Sequence, residues 1–259
     1  MTSQSTMESS VDCLPADCAI LAQIDRGLSV ASPMHSHSHG EIYVIQNGHL
    51  LSTSADARWL IPAGQAYWVP AGTLHGGSLS NVSGIRIHVS ADMTKEFFPE
   101  AAVVFNATPL ILALMERWGE EAEHGLPKRM LDSHRLAVLL DEMARSIAQP
   151  VILPIPTHQV MRQVMSDWSM ECDERASLDE LASRCRMSRR TFTRHFREET
   201  GLSPGVWMQT ARLLRGYSLM ASGASVTETA FMLGYDSATS FFNLCRRFTG
   251  MNPSDFARK

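Results

Sequence analysis

The sequence lacks the features that would hold it in a bilayer or tie it with disulfides. No run of roughly 20 apolar residues occurs, the length a membrane-spanning helix requires. The nearest stretch, Ala101 to Met115, is broken by Asn106 and Pro109, so no membrane partner is expected. The start, MTSQSTMESSVD, has neither a basic cluster nor an apolar run, so no secretory leader is expected. The five cysteines are odd in number, scattered at 13, 18, 172, 185 and 245, and form no CxxC pair. This argues against a disulfide framework and suits reduced thiols in the cytoplasm. Nor is the composition extreme. With 44% hydrophobic, 19% charged and 7% aromatic residues, it excludes wholesale disorder, collagen and coiled-coil rods.

What is present points to two parts. A chain of 259 residues corresponds to two domains at about 100–200 residues each. The net charge of −4 alone would argue against nucleic-acid binding, but it averages over an asymmetry. Residues 157–259 carry 14 Lys and Arg against 11 Asp and Glu, whereas residues 1–156 carry 9 against 16. An acidic front and a mildly basic back suggest two tasks in one chain.

Residues 1–17 are small and polar and read as a flexible tail. Residues 18–105 read as short strands. EIYVIQ, a turn at Asn47-Gly48 and HLLST form a hairpin signal; RWLI, AYWV and GIRIHV follow. In the last, Ile85, Ile87 and Val89 alternate with Arg86, His88 and Ser90, as in a half-buried strand. Many short strands with regular turns predict a small sandwich or barrel. Over 106–149 the period becomes helical, with helices from Leu110 to Glu123 and from Pro127 to Gln149. Leu136, Leu139, Leu140, Met143 and Ile147 make an apolar stripe. It can pack on the strand domain or form a dimer seam, and a stripe alone does not choose. Three prolines within 150–156 predict a semi-rigid linker. The predicted class is therefore α+β in two domains, a strand-rich barrel with a helical segment and then an all-α domain at 157–259.

The last hundred residues are punctuated for helices. SLDE at Ser177 and SVTE at Ser225 are capping boxes. Ser203-Pro204 and Asn252-Pro253 each place a cap and a first-turn proline. Leu178–Cys185, a tight break, and Arg189–Thr200 capped by Ser188 make a helix-turn-helix. The pattern recurs 48 positions later as Val226–Leu233, Gly234-Tyr235-Asp236 and Ser237–Thr249. In the first second-helix, Phe192 and Phe196 should be core, with Arg190, Thr193, Arg194 and Arg197 on another face. Residues 181–197 hold six Arg and no acid; guanidinium groups bind phosphate and read guanine. In the later copy Phe241, Cys245 and Phe248 form the buried row, leaving Thr239, Ser240, Asn243, Arg246 and Arg247 outward. Asn suits adenine, and Ala238 or Thr239 suits a thymine methyl. The helix between the copies, about 27 Å long, is comparable to one turn of B-DNA, ~34 Å.

Residues from about 160 to 258 resemble the DNA-binding domain of the AraC/XylS family of bacterial regulators, through LDELASRCRMSRRTFTRHFREETGLSPGVWM and SVTETAFMLGYDSATSFFNLCRRFTGMNPSDF. By that resemblance, base contacts fall on Arg190, Thr193 and Arg194, then on Ala238, Thr239, Ser240 and Asn243. Ser188, Arg189, Arg197, Arg246 and Arg247 complete the expected DNA-binding set. Arg186 stands at the usual turn glycine, Cys245 at a usual Phe, and Asn243 at a frequent Arg. These departures suggest that the first unit reads sequence more strongly than the second.

Residues 35–48 read HSHSHGEIYVIQNG and residues 64–75 read GQAYWVPAGTLH. They resemble the two motifs of the cupin superfamily of small β-barrels. The resemblance implies metal ligands His35, His37, Glu41 and His75. Three imidazoles and a carboxylate suit Zn, Ni, Fe or Mn; His39 is an extra imidazole outside the motif. The alternative is that these histidines are structural or face an organic effector. Of the neighbouring strand residues, Tyr43, Tyr67, Arg86 and His88 are candidates to line an effector pocket, and an inward Arg86 would favour an anion. The reading is a cytoplasmic, sequence-specific transcription regulator and not an enzyme. Its expected partners are double-stranded DNA, a small-molecule effector, a second copy as homodimer, and RNA polymerase if it activates. The alternative is a metal-dependent cupin dioxygenase or isomerase with an accessory helical domain.

Overall fold

The structure, a computed structural model, describes residues 20–124, 132–172 and 176–253. The tail 1–17 and the expected start of the second middle helix at Pro127 lie outside the described residues. The chain divides into two compact units, one from residues up to 54 with 60–150, the other from 55–59 with 151–259. No described helix is long and apolar enough to cross a membrane.

In the first unit, β1 (Ile20–His35), β2 (Gly40–Ser54), the end of β3 (Ala57–Pro62), β4 (Gln65–Val69) and β5 (His75–Val89) precede the short helix α1 (Ala91–Phe97). Then come β6 (Val103–Asn106), α2 (Pro109–Glu123) and α3 (Asp132–Arg145). β5 lies between β1 and β2 and is antiparallel to both. β4 pairs with β2 and β6. The two-residue alternation of β2, β4 and β5 separates two environments. Ile42, Val44, Ala66, Trp68, Ile85, Ile87 and Val89 form an apolar face that packs on Ile111, Met115, Trp118, Leu136, Leu139 and Met143. Each such side chain contributes roughly 1.5–3 kcal/mol by leaving water. The intervening residues turn to the other side and line a cavity.

This arrangement decides the stripe on α3. Leu136, Leu139 and Met143 are buried in the core of their own unit, and Leu140 packs against it, so the stripe is a packing face. Ile147 lies beyond the helix and is 65% exposed. The helix stops at Arg145 rather than Gln149 because the chain turns back to the sheet, where Ala148 N–H donates to the Val104 carbonyl at 3.0 Å.

Three expectations need correction. Asn47-Gly48 does not reverse the chain: β2 runs through it, with Ile45 opposite Gly84, Asn47 opposite Ser83 and His49 opposite Ser80, and the register shifts between them. Gly48 has φ +77°, and a glycine with positive φ serves a bulge as well as a hairpin turn. The 91–97 segment is a helix where strands were expected; seven residues are too few for a helical period to stand out. The 150–156 segment, read as a semi-rigid linker, contains a strand. Val151–Pro154 is the strand β7, with Val151 and Leu153 buried, and its prolines lie at or beyond its ends.

Among the described residues, the second unit holds β7 and six helices: α4 (Gln159–Glu171), α5 (Leu178–Arg184), α6 (Arg189–Thr200), α7 (Pro204–Ala221), α8 (Val226–Met232) and α9 (Ala238–Thr249). Ser177, Ser188, Ser203, Ser225 and Ser237 each cap the helix that follows, the side-chain oxygen accepting from the third residue on. Such caps are worth about 1 kcal/mol each. The reciprocal capping box is complete at Ser225 and Glu228. α7 is the spine of the unit. Trp207 of α7 meets Phe196 of α6 edge-on at 5.7 Å. Gly216 of α7 leaves the space that Phe241 of α9 fills, since a Cβ there would lie 2.5 Å from the ring.

Candidate nucleic-acid interface and histidine-lined cavity

The two helix-turn-helix copies close alike. At the first break, Arg186 N–H donates to Ser183 O and Met187 N–H to Ala182 O; at the second, Gly234 N–H donates to Phe231 O and Tyr235 N–H to Ala230 O. In α6, Phe192 and Phe196 are fully buried. The 3.6-residue period then turns Arg189, Arg190, Arg194 and Arg197 outward. With half-buried Thr193 and with Glu198 they line one shallow open depression. Arg189 is held by Asp179 at 3.0 Å, and Arg194 lies 4.0 Å from Glu198. Ser188 is exposed, but its oxygen is engaged as the cap.

In α9, Phe241, Leu244 and Cys245 are buried, whereas Phe248 is only half-buried, which corrects part of the expected row. Thr239, Ser240, Asn243, Arg246 and Arg247 are exposed and Ala238 is half-exposed. Within this outward set Arg247 is engaged by its own unit. It donates to Gln209 of α7 and lies over the Phe248 ring at 4.7 Å, so its guanidinium is already occupied within the unit.

In the first unit the candidate metal and effector residues converge on one cavity of about 100 Å³. His35, His37 and His75 each offer a nitrogen within 4.8 Å of the others. Their Nδ1 atoms donate to carbonyls of Pro33 at 2.9 Å, His39 at 2.6 Å and Thr73 at 2.8 Å. In a neutral ring this bond leaves the lone pair on Nε2, the arrangement that second-shell bonds impose on ligating histidines. His37 Nε2 is buried with no hydrogen-bond partner. Burial holds His75 below the usual histidine range, against its bond to the Thr73 carbonyl, and a neutral imidazole is the ligating form. The residues present thus fit a divalent transition metal.

Glu41 is not brought into that cluster. Its carboxylate lies 3.8 Å from Arg86 Nη1 and 3.7 Å from His88 Nδ1. The cause is register: Glu41 faces His88 across the β2–β5 pair, and Tyr43 faces Arg86. Burial would raise the Glu41 carboxyl, but Arg86 and then His88 hold it below the usual range. Arg86 does point inward, yet it is not a free cation for an anionic effector. Asp25 binds it at 3.1 Å, and its guanidinium sits 4.4 Å from the Tyr43 ring centre. A buried guanidinium requires such partners because desolvation is costly. Tyr43, Tyr67 and His88 line the cavity as expected.

Sequence reasoning missed Asp25 and gave His39 no role. Asp25 is the one acid in the strand-like run ILAQID, a visible signal without a visible partner. His39 stacks on His37 at 4.1 Å and shares a 2.9 Å hydrogen bond with His88.

A histidine-lined cavity in a sheet domain, followed by paired helix-turn-helix units with an arginine-rich face, defines a ligand-binding, DNA-binding regulator. Residues 18–92 match the model of the AraC-like ligand binding domain, and residues 181–259 match that of a helix-turn-helix domain. The chain is 26% identical over 238 residues to the HTH-type transcriptional regulator NimR of Escherichia coli K12, covering 88% of this chain and 82% of that protein. It is 24% identical over 273 residues to the HTH-type transcriptional activator RhaS of Shigella sonnei, covering 96% of both. Among solved structures, the DNA-binding domain of AdpA in complex with a target DNA is 33% identical, over 38% of this chain and 89% of that one, with a TM-score of 0.36. The chain belongs to the AraC family of DNA-binding transcription regulators.

Proposed function

We propose that this regulator is metal-responsive: a divalent transition metal on His35, His37 and His75 is its effector, and exposed residues of α6 and α9 read its operator. The observation that carries the reading is the convergence of three imidazoles, each offering a nitrogen within 4.8 Å of the others and each bonded through Nδ1 to a backbone carbonyl. Three imidazoles without a carboxylate favour Zn or Ni over the oxygen-loving Mn. The cavity volume agrees. A space of about 100 Å³ suits an ion with a few waters, since ~150 Å³ holds only benzene.

For DNA, the proposal uses Arg189, Arg190, Thr193, Arg194 and Arg197 in the first unit, and Ala238, Thr239, Ser240, Asn243 and Arg246 in the second. Cationic groups supply phosphate affinity, and those reaching base edges supply sequence preference. A homodimer on paired half-sites in the cytoplasm is part of the proposal, with RNA polymerase as a partner if the protein activates. The α3 stripe is taken up by the core of its own unit, and the proposed dimer uses other surface.

Metal analysis of protein purified without a histidine tag tests the reading. Near one equivalent of metal in the wild type and loss in His75→Ala is the expected result. Negligible metal in both overturns it. The open positions left by three imidazoles also favour a second reading, a metal-dependent dioxygenase or isomerase. A salt-dependent gel shift with the protein's own upstream DNA, altered by added metal, favours regulation.

A further inference from the structure

We infer that occupancy of the three-histidine site is passed to α6 through the five residues Ala55–Trp59. The inference rests on the metal reading above. It starts from strand register. His75, the first residue of β5, is paired with His35 at the end of β1 and with Ser54, the last residue of β2. The backbones around it touch without intervening side chains. A Cβ on Gly76 would lie 2.8 Å from the Pro33 carbonyl oxygen, and one on Gly77 would lie 2.2 Å from that of Leu51. Close-packed backbone of this kind moves together instead of absorbing a displacement.

The peptide after Ser54 leads directly into residues 55–59, which belong to the compact unit of 151–259. Within that unit the segment is tied by hydrogen bonds that include the following two. The Asp56 carbonyl accepts from Ile155 N–H at 2.7 Å, and Arg58 Nη1 donates to Ser169 Oγ of α4 at 3.0 Å. One residue before Ile155, the Pro154 carbonyl accepts from Trp207 Nε1 at 2.6 Å. Trp207 packs edge-on against Phe196, a buried residue of the arginine-bearing α6. A continuous run of backbone pairs, hydrogen bonds and ring contacts therefore leads from a metal ligand to the helix proposed to read DNA. Drawing three imidazoles onto one ion shifts His75, and the end of β2 moves with it. Metal then changes DNA affinity by favouring one arrangement of this run over another.

The experiment uses the full chain, cobalt(II) as the metal, and a duplex selected from random sequence by the wild type, all at fixed salt. Cobalt absorbance reports the site, and duplex affinity reports α6. Two variants leave every histidine in place: Arg58→Ala, and insertion of two glycines between Ser54 and Ala55. The wild type is expected to bind cobalt and to change its duplex affinity at least about five-fold. The variants are expected to show the same cobalt spectrum while that change falls below about two-fold. In the wild type, cobalt is also expected to alter amide exchange in 55–59 and 151–155. This readout stands whether or not the variants fold. Unaltered exchange there, or variants that keep the full affinity change, overturns the coupling alone. A wild type that binds cobalt with no change in duplex affinity also overturns it. A wild type with no cobalt spectrum overturns the metal reading instead, and the coupling with it.

Discussion

Arg186 and Gly234 hold the same position in two copies of one turn, 48 residues apart, with φ of +57° and +79°. Each donates its N–H to the carbonyl three residues back, and the residue after each closes a second bond five residues back. Only the glycine adopts this conformation without a Cβ penalty. An arginine there costs on the order of 1 kcal/mol. Replacing Arg186 by Gly is expected to raise the melting temperature by about 2–4 °C, which corresponds to ~1 kcal/mol in a chain of this size. Calorimetry of the variant checks this, and an unchanged or lower value counts against strain at the turn.

Gly216 is the reverse case. In a helix interior, Gly→Ala ordinarily stabilises by about 1 kcal/mol. Here the new methyl would sit 2.5 Å from Phe241 Cζ and 3.2 Å from Leu233 Cδ1. Overpacking of this kind costs roughly 1–3 kcal/mol, and both neighbours are buried. Gly216→Ala is expected to be net destabilising, with α9 displaced from α7. Urea unfolding and a footprint narrowed on one side would report it; a stabilised variant with an intact footprint would contradict it.

The two reading helices are expected to contribute unequally. Arg194 stands among three other outward arginines, and its only acidic neighbour in contact range among the described residues is Glu198 at 4.0 Å. α9 carries Asn243 in the matching region, and its Arg247 is turned to Gln209. Arg194→Ala is expected to weaken operator binding by about 1–3 kcal/mol, and Asn243→Ala by less. Equal losses in parallel titrations at one salt concentration would refute the ranking.

His49 gives a pH signature separate from the cavity histidines. It is 1% exposed, and burial holds its pKa at about 4. The folded state therefore keeps it neutral while the unfolded chain protonates near 6.5. Between these values the unfolded state binds more protons, so stability falls as pH drops from about 6.5 toward 4. The full effect is on the order of 3 kcal/mol. His49→Gln should flatten the stability profile in that window. The same slope in both proteins would assign it to other groups.

The helical half was legible almost residue by residue. Its caps, breaks and left-handed turns are interactions between residues three to five apart, so a short window of sequence contains both partners. The predicted Arg189–Thr200 and the observed α6 coincide, and the buried phenylalanines follow from the period. The strand half was legible as alternation but not as pairing. The bulge at Gly48 reads like a turn because both need positive φ. Which of the two β2 can form depends on β5, some 35 residues away.

The amino-acid sequence alone thus determined the doubled helix-turn-helix, its arginine-rich face and the presence of an imidazole cluster near residues 35–39 and 75. Tertiary structure alone decided which charges meet. Asp25 reaches Arg86 across 61 residues, and β2–β5 register takes Glu41 from the expected ligand set to the same guanidinium. The physical reason is that a buried charge is satisfied by whichever counter-charge the sheet register places beside it, and register is a property of whole strands rather than of any local motif.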